Sequence, residues 1–188
     1  MEFWTDLSEA VVQNWIVWFI SAVLVVAAVI DGLQLKVPNW LTFPLVLGGW
    51  GYSLAFFGFE GLAWSLVGAG VGLALLLPAY SIGGMGAGDV KLLAGVGAWI
   101  YATDTLGAFA VSALVGGILA VTMVLYSGRW RNHLASFRVI AAEIMMIRDP
   151  ERLAALAAER KGSMLLLPYG IPIMIGTITY FAWNGMFI

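Results

Sequence analysis

The stretch WIVWFISAVLVVAAVI, residues 15–30, contains no charged side chain and is followed at once by Asp31. At a rise of about 1.5 Å per residue, a helix over this stretch and its flanks approaches the ~30 Å thickness of a hydrocarbon core. A secretory signal would begin with basic residues and end in a small-residue cleavage site, and neither feature is present here. The stretch therefore predicts a transmembrane helix.

Five more apolar runs follow along the chain. Of the 188 residues, 62% are hydrophobic and only 11% are charged, which excludes a water-soluble globular protein. Membrane crossings use most of the length, so no separate soluble domain of ordinary size fits. We predict an all-α polytopic membrane protein in which residues 1–188 form one domain with six transmembrane helices. The five further predicted crossings are residues 40–57, 62–80, 90–103, 106–126 and 163–188.

The only extended polar stretch, residues 128–162, lies between the fifth and sixth apolar runs. Its apolar side chains, including Trp130, Phe137 and Ile144, recur at helical spacing with charges between them. This pattern predicts an interfacial amphipathic helical segment. A simple connector and a surface that meets anionic lipid headgroups are both compatible with it.

The distribution of charge predicts the orientation. With six crossings, all nine lysine and arginine residues fall on one side of the membrane, and cationic residues near helix ends accumulate on the cytoplasmic side. Both termini are therefore predicted to lie on the non-cytoplasmic side. The nine cations are Lys36, Lys91, Arg129, Arg131, Arg138, Arg148, Arg152, Arg160 and Lys161, and the opposite side carries Glu2, Asp6, Glu9, Glu60 and Asp104.

Two acidic residues lie near the cytoplasmic face. Asp31 follows the first apolar run and Asp89 precedes the fourth, so two intervening crossings return the chain to the same face. Ionisable groups at such depths are costly and tend to face a bundle interior and carry function. The alternative is that each carboxylate marks a helix end in the headgroup region, where the helix dipole favours Asp89.

Composition excludes several other chemistries. The chain has no cysteine, which removes disulfides, thiolate nucleophiles and cysteine-type zinc sites. A net charge of −2 gives no basic tract for nucleic acid, so we expect no nucleic-acid partner. We also expect no cofactor and no metal.

Three local patterns, in this order, are similar to those of the type IV prepilin peptidases, which are membrane aspartic peptidases with a Gly-x-Gly-Asp signature. The first is an aspartate followed by a basic residue, an aliphatic residue and Pro-Asn, present at residues 31–39. The second is Gly-x-Gly-Asp-x-Lys-Leu at residues 86–92, and the third is Pro-Tyr-Gly at residues 168–170. The resemblance covers most of the chain from Trp15 onward.

The resemblance implies a peptidase of the bacterial inner (plasma) membrane that removes the short basic leader of a pilin precursor at the cytoplasmic face. Asp31 and Asp89 would be the catalytic pair, one acting as base and the other as acid. Gly86 and Gly88 would hold the unwound substrate together with Lys91. Two other roles are compatible with Lys91. It could orient Asp89, or it could simply lie at the membrane interface.

The longer members of this family also N-methylate the processed pilin and carry cysteine motifs near the N-terminus. This chain has no cysteine. It therefore resembles the short, peptidase-only type associated with tight-adherence (Flp) pili, and no N-methyltransferase activity is expected.

A second class of function is compatible with two membrane acids. In a small ion-coupled transporter, Asp31 and Asp89 would bind protons or Na⁺, and the glycine-rich segment would be a break in a helix. Transporter sites usually lie near the midplane between inverted repeats. Neither feature is seen in this sequence, which favours the peptidase.

Overall fold

The computed structural model describes residues 14–81, 84–127, 146, 156 and 167–187, and helices joined by short turns and loops make up these residues. Three of the helices are long and apolar enough to cross a membrane. The prediction of an all-α protein is thus confirmed over the described residues. The predicted interfacial segment at 128–162 lies outside them, apart from the helical residues Met146 and Leu156. The helices are α1 (Trp15–Gln34), α2 (Asn39–Ser81), α3 (Ala87–Tyr126) and α4 (Gly170–Trp183).

Helix α2 and helix α3 each fold back on themselves at one non-helical residue. In α2 this is Gly58, with φ 66° and ψ −157°. A Cβ on Gly61 would lie 2.7 Å from the carbonyl oxygen of Ser53, although residues eight apart in a straight helix are separated by about 12 Å. The two halves of α2 therefore lie side by side.

In α3 the reversal occurs at Tyr101, with φ 62° and ψ −179°. A Cβ on Gly97 would lie 3.1 Å from the Thr105 hydroxyl, again eight residues further on. Only glycine adopts this backbone conformation without strain, so the tyrosine is held there by its surroundings. Its hydroxyl lies 3.5 Å from the Ser53 hydroxyl in the first half of α2.

The observed breaks differ from the predicted ones by a few residues. The second and third predicted crossings leave residues 58–61 between them, whereas only Gly58 leaves the helix. The break predicted between residues 103 and 106 falls at Tyr101 instead. Asp104 is helical, and its carboxylate accepts a hydrogen bond of 2.8 Å from the Tyr180 hydroxyl. The first crossing, predicted to end at residue 30, continues through Asp31 to Gln34.

The first half of α3 is the centre of the bundle. Its side chains from Asp89 to Ala98 are buried apart from Lys91, and those of Leu92, Leu93 and Val96 are fully buried. Small residues allow both halves of α2 to reach its backbone, as in other membrane helix pairs. Gly72, for example, leaves room for the Leu93 carbonyl, and Gly49 leaves room for Ala98.

The second half of α3 pairs with α4, and α4 in turn pairs with α1. Gly176 lies directly against Ser112, and a Cβ on Gly32 of α1 would lie 3.6 Å from the Ile171 side chain of α4. The outer faces carry exposed apolar side chains such as Leu47 and Leu114, as expected for contact with lipid. This packing brings the end of α1, the start of α3 and the start of α4 together at one end of the bundle.

The reversal at Gly58 gives a direct test of this fold. A methyl group at Gly58 would meet no atom within 4 Å, so substitution by alanine tests only the positive φ. We expect Gly58→Ala to lower the free energy of unfolding by ~1–2 kcal/mol. Thermal unfolding in detergent micelles measures this.

Gly70 supplies the matched control, because it also has open space around its Cβ position but lies in regular helix. Gly70→Ala should stabilise the protein by ~0.5–1 kcal/mol. Effects of the same sign in the two variants would contradict the reversal at Gly58.

Candidate active site

Asp31 lies in the last turn of α1, where its side chain is only 2% exposed. The helix continues for three more residues to Gln34 and is capped by Leu35, whose N–H donates to the Asp31 carbonyl oxygen and whose φ is +53°. The carboxylate therefore projects from helix into the bundle interior. Its Oδ2 accepts a hydrogen bond of 2.7 Å from the backbone N–H of Gly170.

Gly170 is the first residue of α4, where backbone N–H groups have no partner within the helix. That free donor, together with the positive end of the helix dipole, suits a carboxylate. A Cβ on Gly170 would lie 3.0 Å from Asp31 Oδ2 and 3.1 Å from Asp31 Cβ. A side chain at this position would therefore force the Asp31 carboxyl group to shift.

Asp89 lies in the first turn of α3 and is 6% exposed. Its Oδ2 accepts a hydrogen bond of 3.2 Å from the N–H of Gly86, the residue that precedes the helix. Its Oδ1 is buried and accepts no hydrogen bond from the described residues. Both acids are therefore held by a backbone N–H from a glycine at a helix start.

The two carboxyl groups lie close enough to interact electrostatically. Tyr169, which immediately precedes α4, also lies near enough to feel the charge of Asp89. In a poorly solvated site, two adjacent carboxyl groups do not both ionise readily. The structure thus brings together the two acids that the sequence singled out.

The other predicted site residues take up different positions. Gly88 packs against Val37, where a Cβ would lie 2.7 Å from the Val37 carbonyl oxygen. The Lys91 ammonium donates a hydrogen bond of 2.9 Å to Asn39 Oδ1 and lies 5.1 Å from the centre of the Phe43 ring. Gly86 donates to Asp89, as described above. A substrate-binding role for Gly86, Gly88 and Lys91 stays a prediction.

Sequence reasoning assigned no chemistry to two of the contacts that shape this site. In the sequence, Gly170 belongs to the Pro-Tyr-Gly pattern and Asn39 to the Pro-Asn pattern. Each makes its contact with a residue far away in sequence, Gly170 with Asp31 and Asn39 with Lys91. In the part of the chain that the structure describes, acids and histidines do not gather into a group of three that could hold a metal ion.

Comparison with known proteins gives the family. The model of the type IV leader peptidase family matches residues 18–121, a segment that contains Asp31 and Asp89. The prepilin leader peptidase/N-methyltransferase of Aeromonas hydrophila is 35% identical over 118 residues, which cover 59% of this chain and 39% of that protein. Its counterpart in Neisseria gonorrhoeae is 33% identical over 117 residues, 58% of this chain and 41% of that protein.

The chain thus spans about two fifths of the length of these curated relatives. No solved structure matches it. The Pro-Tyr-Gly pattern at residues 168–170 lies outside the matched segment. Because that segment makes up more than half of the 188 residues, the chain belongs to the type IV leader peptidase family.

Proposed function

We propose that the chain is an aspartic endopeptidase that removes the leader from type IV prepilins, with Asp31 and Asp89 as the catalytic pair. The observation that carries the proposal is the juxtaposition of two buried carboxyl groups from different helices, each oriented by a backbone N–H. The relatives are named as prepilin leader peptidases, which supplies the substrate class.

The proposed reaction uses the pair as one base and one acid. The ionised carboxylate takes a proton from a water molecule as the water oxygen attacks the scissile carbonyl carbon. The protonated carboxyl donates its proton to the carbonyl oxygen. When the tetrahedral intermediate collapses, the C–N bond breaks, the departing amine takes the proton from the first carboxyl, and the hydroxyl proton returns to the second.

In each acid, one carboxyl oxygen accepts a hydrogen bond from the backbone. In Asp89, Oδ2 is occupied by the Gly86 N–H, while Oδ1 is free of partners among the described residues and can take part in proton transfer. In Asp31, Oδ2 is occupied by the Gly170 N–H. Because such a pair titrates as a unit, we assign neither acid a separate role as base or acid.

For the membrane arrangement we propose six crossings, with both termini on the non-cytoplasmic side and the acids near the cytoplasmic face. The reversals at Gly58 and Tyr101 support this count, because each divides a helix too long for a single crossing. From Asp89 to Tyr101 the central helix rises by about 18 Å, which separates the acids from the opposite end of the bundle.

The proposed substrate reaches the site from the cytoplasmic face. A short basic leader is attracted by the acid pair, and the scissile bond lies where the apolar helix of the pilin leaves the membrane. Gly86 and Gly88 are proposed to contact the unwound peptide beside Asp89, whereas the Lys91 ammonium is engaged by Asn39. The proposal is limited to hydrolysis, and methyl transfer, which the names of the relatives include, is not assigned to this chain.

Asparagine at either acid removes the proton exchange that the mechanism needs while keeping the side-chain shape. We expect Asp31→Asn and Asp89→Asn each to lower the rate of precursor cleavage by ~10²–10⁴-fold. Incubating membranes with a pilin precursor and following the shortened product measures this.

Asp104→Asn is the matched control, since Asp104 lies beyond the reversal at Tyr101 and bonds to Tyr180 instead. It should cleave at the wild-type rate. Full cleavage by either Asn variant at the pair would contradict the proposal. So would acid-dependent solute uptake without cleavage, which is the result that a transporter gives.

Gly170 should matter for turnover because its backbone orients Asp31. We expect Gly170→Ala to lower kcat ~10-fold by displacing the Asp31 carboxylate. Gly117→Ala is the control, since a methyl group at Gly117 meets nothing within 4 Å. Equal cleavage rates in the two variants would show that the contact between Gly170 and Asp31 does not position the acid.

The absence of cysteine from the chain makes its topology directly measurable. We expect Glu60→Cys to react with a membrane-impermeant maleimide added to intact spheroplasts, and Lys36→Cys to react only after permeabilisation. Both side chains are exposed in the structure. Labelling of both variants from the same side would contradict the proposed arrangement.

A further inference from the structure

Residues on one face of the first half of α3 contact residues 37–45, which include the start of α2. Gly88, Lys91 and Gly95 follow at intervals of three and four residues and so share one helix face. Gly88 meets Val37, and a Cβ on Gly95 would lie 2.7 Å from the Leu45 side chain. Lys91, between them, reaches Asn39 and the Phe43 ring.

This face differs from the one that carries Asp89. The Lys91 ammonium bonds to Asn39, and the charges and backbone groups that influence Asp89 come from Asp31 and Gly86. The Lys91 ammonium is thus directed to Asn39 and the Phe43 ring. Its link to Asn39 joins the Pro-Asn pattern and the Gly-Asp pattern in space, although they lie 52 residues apart.

The start of α3 needs a support of this kind. The helix begins at Ala87 after Gly86, which offers no side chain to cap it. The cap comes instead from Asp89, which accepts the Gly86 N–H. A catalytic carboxyl whose charge and hydrogen bonds change during turnover is a weak cap, and an uncapped first turn frays.

We propose that Lys91 and Asn39 are positioning residues that clamp the first turn of α3 to the start of α2 and so hold Asp89 beside Asp31. The hydrogen bond fixes Lys91 half a turn beyond Asp89, and the Phe43 ring supports the ammonium from the side. Gly88 allows the two backbones to meet close to the bond. The catalytic consequence rests on the proposed function, whereas the structural one does not.

Hydrogen exchange tests the clamp without reference to activity. Lys91→Met keeps an apolar stem against Phe43 but removes the donor, and Asn39→Ala removes the acceptor. We expect each variant to raise amide exchange at residues 88–92 by ~10-fold relative to the wild type. The control is Lys36→Met, which removes a cation three residues before Asn39 and should leave exchange at these amides unchanged.

Kinetics with a pilin precursor test the catalytic consequence. We expect Lys91→Met and Asn39→Ala each to lower kcat ~10-fold with little change in KM, and the double variant to be no slower than either. Asn39→Asp keeps an acceptor for Lys91 and should retain near-wild-type kcat. In Lys91→Met and Asn39→Ala the midpoints of the pH–rate profile should stay at their wild-type values, because the clamp acts on the position of Asp89.

Each alternative gives a different result. A shifted pH profile in Lys91→Met with a silent Asn39→Ala would mean that Lys91 acts through its charge. A rise in KM alone would mean that Lys91 binds substrate. Wild-type exchange in both variants would overturn the clamp itself, whereas absence of cleavage by the wild type would overturn the proposed function and leave the exchange result standing.

Discussion

The site depends on keeping two carboxyl groups together in a poorly solvated interior. Asp31 and Asp89 come from different helices, and both are almost fully buried. Mutual repulsion and lost hydration oppose this arrangement unless hydrogen bonds compensate. The compensation comes from the backbone, through the N–H groups of Gly170 and Gly86. Each donor belongs to a glycine at a helix start, where the N–H is free and another group can approach closely.

The rest of the bundle serves to bring those helix ends to one place. The first half of α3, at the centre of the bundle, meets small residues, so both halves of α2 pack against its backbone. Helix α4 packs against the second half of α3, and its first residue, Gly170, lies at the same end of the bundle as Asp31. The reversals at Gly58 and Tyr101 are therefore part of the site's architecture, although both lie at the opposite end of the bundle.

Much of this follows from the sequence, but not all of it. The apolar runs predict the helices, and the spacing of Asp31 and Asp89 along the chain predicts that they lie at the same end of the bundle. The reversal at Tyr101 could not be predicted, because tyrosine carries no preference for positive φ and the neighbouring Asp104 pointed to a later loop. The bonds from Gly170 to Asp31 and from Lys91 to Asn39 span 139 and 52 residues, and only the tertiary packing determines them.

The proposed mechanism requires Asp31 and Asp89 to share one proton when the site is ready for reaction. Infrared difference spectra of aspartate-labelled protein near neutral pH detect this shared proton. We expect a protonated carboxyl band in the wild type that weakens or changes frequency in both Asp31→Asn and Asp89→Asn, because the proton no longer lies between two carboxyl groups. A band that persists unchanged in either variant would show that the two acids do not share the proton.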